Sequence, residues 1–87
     1  MKIQPGFVLK EVADSFVIVP TGAKIVDFSA MITINETGAF LWEKLQEEIT
    51  EEDLVEAVLG EYDTDRETAA KDVKEFVEVL KSKKVLN

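Results

Sequence analysis

The chain has 87 residues, 46% of them hydrophobic and 32% charged, with a formal net charge of −8. That length suits a single domain over residues 1–87, and so short a chain buries only roughly 60–65% of the surface its unfolded form exposes. Cysteine and histidine are both absent, which excludes disulfides, thiolate metal sites and histidine acid–base chemistry and argues against catalysis, while the acidic field disfavours phosphate backbones.

The first third reads as β structure. Pro5-Gly6 signals a turn before Phe7-Val8-Leu9-Lys10-Glu11-Val12, whose β-branched and aromatic content suits a strand. Ala13-Asp14 is a link of hairpin length, although it lacks the glycine typical of such turns. Ser15-Phe16-Val17-Ile18-Val19 is apolar at four consecutive positions, as expected of a central strand covered on both faces, and Pro20 ends it. Between Thr21 and Ala30 the pattern is open: Lys24 to Phe28 reads equally as a short strand or an ordered loop. Met31-Ile32-Thr33-Ile34 alternates as a strand should. No later strand is available to flank it, so it is expected at a sheet edge.

Three helices follow. Asn35 is a good N-cap for a helix carrying Phe40, Leu41 and Leu45 and running towards Glu48. Gly38 in its first turn costs roughly 1 kcal/mol of helix propensity and so suggests close approach of another backbone. Thr50 opens the second helix, with Ile49 and Leu54 spaced as a hydrophobic staple and Leu54, Val55, Val58, Leu59 and Tyr62 as its apolar set. The third opens on Thr64-Asp65-Arg66-Glu67, which fits a capping box from Thr64 to Glu67. Ala69, Val73, Phe76, Val77 and Leu80 then form a stripe, and Lys81, Lys83 and Lys84 suit the negative end of the helix dipole. Val85-Leu86 is a short apolar tail.

Short links between strands favour an antiparallel meander, since parallel strands need long crossovers. The helices must bury their stripes against one face of that sheet and against each other. The expected fold is therefore α+β and winged-helix-like, with an N-terminal three-stranded antiparallel sheet followed by three α-helices. Trp42 fits either a partner surface or the edge of the core.

The stretch Met31-Ile32-Thr33-Ile34-Asn35-Glu36-Thr37-Gly38-Ala39-Phe40-Leu41-Trp42 resembles the strand-to-helix motif of PqqD-like proteins, the recognition elements for ribosomally made precursor peptides. Phe7 to Val12 with Val17 to Pro20 resembles the opening hairpin of that family. Thr50 to Ala57, Tyr62 to Asp65 and Asp72 to Val77 resemble its later helices, so the likeness covers nearly the whole chain. The segment Thr21 to Ala30 is longer than the tight second hairpin of members that serve pyrroloquinoline quinone (PQQ) synthesis, which points to the broader relatives.

The resemblance implies a non-catalytic, cofactor-free peptide chaperone. A leader peptide would dock as an extra antiparallel strand beside the third strand, in a groove walled by the third helix, for delivery to a modifying enzyme, commonly a radical SAM enzyme. On this chain the edge would be Met31, Ile32, Thr33 and Ile34. Val73, Phe76, Val77 and Leu80 would offer apolar anchoring, with Val73 and Phe76 leaning to the core, and Lys74 and Lys81 would meet acidic leader residues. A DNA-reading role is disfavoured, because the last helix has one arginine, no asparagine or glutamine, and interleaved Asp72, Glu75 and Glu78. No apolar run approaches the ~20 residues of a membrane span, and a cytoplasmic monomer is expected.

Overall fold

The computed structural model of the protein describes residues 1–21 and 32–86, and three antiparallel strands open it. Strand β1 (Phe7–Val12) pairs with β2 (Ser15–Pro20) in a register running from Phe7 opposite Pro20 to Val12 opposite Ser15. The two-residue turn is made without glycine: Ala13 itself adopts φ 55°, in the left-handed region that L residues seldom occupy. Strand β3 (Ile32–Ile34) pairs with the other side of β2, placing Ile32 opposite Ile18 and Ile34 opposite Phe16. The order is β1-β2-β3, so β2 is central and β3 lies at an edge. Met31 and the stretch Gly22 to Ala30, including the open reading at Lys24 to Phe28, lie outside the described residues.

Pleating sends alternate side chains to opposite faces. Leu9, Ile18 and Ile32 share one row on the inner face, where Ile18 and Ile32 are buried. Outward-facing Val8 and Val12 are exposed, and Val17 and Val19 are half-buried.

The helices cover the inner face. Helix α1 (Glu36–Lys44) is capped by Asn35, whose side chain accepts the Gly38 N–H at 2.8 Å. It stops at Lys44 and not near Glu48, because the N-terminal segment takes the backbone groups that would continue it. The Ile3 N–H donates to the Leu45 carbonyl at 2.9 Å, and the Ile49 N–H donates to the Met1 carbonyl at 3.1 Å. Helix α2 (Glu51–Glu61) is capped by Thr50, whose hydroxyl accepts the Asp53 N–H at 3.1 Å, and it buries Leu54, Val55 and Val58. Trp42 is 5% exposed and belongs to the core.

Helix α3 (Arg66–Ser82) starts one residue later than a Thr64 box would place it. The cap is Asp65, whose carboxylate accepts the Thr68 N–H at 2.7 Å. A charged acceptor at the positive end of the helix dipole outcompetes the neutral hydroxyl one residue before it. The same hydrogen bond from Thr68 holds the Asp65 carboxyl below its ordinary pKa. The group therefore contributes stability above the ordinary aspartate range and loses it as pH falls through the lowered folded-state value. Asp65→Asn keeps a capping oxygen that does not titrate. Melting curves from neutral pH into that acid window are expected to fall less steeply for the variant than for wild type, and parallel curves would contradict this account.

The far end of α3 turns back through Lys84, at φ 62°. Lys84 N–H reaches the Lys81 carbonyl at 3.1 Å and Val85 N–H reaches that of Leu80 at 2.9 Å, the two bonds of a Schellman motif. Val85 and Leu80, both wholly buried, supply its hydrophobic contact. Leu86 then bridges to Ile3, and the Gln4 N–H donates to the Val85 carbonyl at 2.7 Å. Among the described residues no helix is long and apolar enough to cross a membrane.

Candidate functional site: a groove between the edge strand and the last helix

A groove of about 310 Å³ runs between β3, the first turns of α1 and one flank of α3. Ile32, Thr33 and Ile34 form its sheet side, and Gly38 and Leu41 its floor. Its helical wall is Asp72, Glu75, Phe76 and Val79, a ridge at i, i+3, i+4 and i+7. Among the described residues β3 pairs only with β2, and none of them forms a partner strand on the edge beside this groove.

Gly38 is what brings the walls together. A Cβ there would lie 3.0 Å from Ile34 Cβ and 3.1 Å from Phe76 Cε1. The missing side chain lets the Phe76 ring close over the start of α1 at the foot of β3. The close approach expected from the sequence thus exists, but with side chains and not with a backbone.

The structure divides the expected site residues. Ile32, Thr33, Ile34 and Phe76 line the groove, and Met31 lies outside the described residues. Val73, Val77 and Leu80 are at most 2% exposed and sit in the core behind the wall. Phe76, expected to lean to the core, is half-buried and reaches the groove, whereas Val77, expected as an anchor, is buried in the core. Lys74 and Lys81 are exposed and do not line the groove. The cause is helical phase. The stripe that meets the sheet and the other helices is fully used by the core, so the groove receives the adjoining flank, with Phe76 shared between them. Sequence reasoning passed over Asp72, Glu75 and Val79 on that flank. Val79 was the available signal, as an apolar residue outside the core stripe and 45% exposed. Among the described residues no group of His, Cys, Asp and Glu is arranged to hold a metal ion.

The sequence profile of the family described as Coenzyme PQQ synthesis protein D (PqqD) matches residues 15–86. The chain belongs to the PqqD family. Two solved structures share this PqqD-family fold. One is "TbiB1 in Complex with the TbiA(beta) Leader Peptide", with a TM-score of 0.78 and 26% identity, covering 100% of this chain and 95% of that one. The other is "Lasso peptide synthetase B1 complexed with the leader peptide", with a TM-score of 0.70 and 20% identity over 93% of this chain and 89% of that one. Among curated proteins, none matches this PqqD-family chain.

Proposed function

We propose that this PqqD-family protein is a non-catalytic recognition module that binds the leader of a ribosomally made precursor peptide. The leader adds as a strand beside Met31 to Ile34 and is then presented to a modifying enzyme of the radical SAM class. The observation that carries this reading is the edge of β3, unpartnered among the described residues, opening onto a groove that Ile32, Ile34, Phe76 and Val79 line with apolar side chains. An extended peptide can satisfy such an edge with its own main chain, while pockets for its alternate side chains supply selectivity. Two solved structures of the same fold, each a complex with a leader peptide, support it. So does a sequence with neither histidine nor cysteine to act as an acid, base or nucleophile.

In this reading Phe76 and Val79 clasp the guest, while Val73, Val77 and Leu80 hold α3 in place from behind. Each buried aliphatic anchor is worth roughly 1.5–3 kcal/mol before ordering costs. Two or three anchors and a short ladder reach about −8 kcal/mol, or micromolar affinity. The module works as a monomer, in the cytoplasm where its substrates are translated.

The test is amide NMR of the full chain titrated with a synthetic leader from a precursor encoded beside its gene. Shifts are expected at Ile32 to Ile34 and along Asp72 to Val79. Changes confined to the β1 edge or to α2 would overturn the reading.

A further inference from the structure

The wall that α3 gives the groove is acidic at one end and apolar at the other. Asp72 and Glu75 come first along the ridge, and Phe76 and Val79 follow. Among the described residues no lysine or arginine lines the groove. Both carboxylate residues are exposed, and among the described residues neither takes part in an ion pair. The rest of the described lining, Thr33, Asn35 and Thr37 included, carries no charge. An overall charge of −8 reinforces the local negative potential.

Spacing turns this polarity into a sequence rule. The centre of the Asp72/Glu75 pair and that of the Phe76/Val79 pair are about four residues apart, or about 6 Å at the α-helical rise. A strand advances about 3.3 Å per residue, so neighbours on one of its faces are about 6.6 Å apart. The two intervals match. We infer that the groove selects extended peptides carrying a lysine or arginine two residues from an aliphatic or aromatic side chain. The basic group lies against Asp72 and Glu75, and the apolar one against Phe76 and Val79. This deepens the strand-addition reading and rests on it. The charge requirement is opposite to that expected from Lys74 and Lys81, which lie outside the groove. Exclusion matters as much as attraction, because an acidic guest residue at the same place faces two like charges.

The test pans random-sequence peptides displayed on phage against the full wild-type chain and against a D72K/E75K variant. Wild-type pools are expected to enrich a basic residue two positions from an apolar one, and variant pools an acidic residue there. A recovered basic peptide, made synthetically, should bind D72N/E75Q about threefold to tenfold more weakly at low salt. That difference should shrink at high salt. Its Lys→Glu version should bind D72K/E75K better than wild type. Both positions are exposed, so unchanged melting curves separate these effects from misfolding. Pools that shift the Ile32 to Ile34 amides without any charge preference overturn the rule and leave strand addition standing. Pools whose shifts miss β3 altogether overturn both.

Discussion

Val79→Asp is expected to weaken capture of a leader peptide by about tenfold to a hundredfold, equivalent to roughly 1.4–2.8 kcal/mol, while leaving the fold intact. Val79 is 45% exposed and stands at the apolar end of the groove wall. A carboxylate there removes an apolar contact and must be desolvated when a guest side chain covers it. Because the site is on the surface, stability should change by no more than about 0.5 kcal/mol. Calorimetric titration beside thermal melting reads both quantities. Unaltered affinity would remove α3 from the binding surface.

Leu80→Ala, one residue further on, is expected to do the reverse. Leu80 is wholly buried, and its partner in the closing turn, Val85, is buried with it. Truncating a buried leucine costs about 2–5 kcal/mol. A domain of this size holds about 4–13 kcal/mol in total, and the melting temperature should fall by about 10–30 °C. Denaturant titration measures the loss directly. Together the two substitutions test the rotational setting of α3: a helix turned by one residue would exchange their phenotypes.

That setting is also where sequence and structure part company. The order of strands and helices was legible because each element carries its own punctuation. Asn35 and Thr50 cap as expected, and the single hairpin-length link between β1 and β2 admits only antiparallel pairing. The α3 stripe was legible as a stripe, but periodicity does not say which of two adjacent flanks the core leaves over. That depends on where β3 and α1 come to rest, and hence on Gly38 admitting Phe76. The end of α1 was misjudged for a similar reason: residues more than forty positions away in sequence, at Met1 and Ile3, claim its backbone groups. Asp65 displaced Thr64 as a cap through charge, which a spacing rule ignores. The turn at Lys84 gave no warning, since a lysine holds the left-handed position where glycine is usual.

Among the described residues, strand β3 contributes Ile32–Ile34 to the sheet. Three residues give an incoming chain few main-chain contacts, so in the proposed docking its side chains carry most of the selectivity. A guest residue pointing the same way as the Thr33 side chain lies on the Val17 face of the sheet, opposite to that of Ile18 and Ile32, and is turned away from α3. Substrates should therefore tolerate free variation at every second position of the docked stretch, and one module of this kind can serve a series of precursors that have diverged everywhere else.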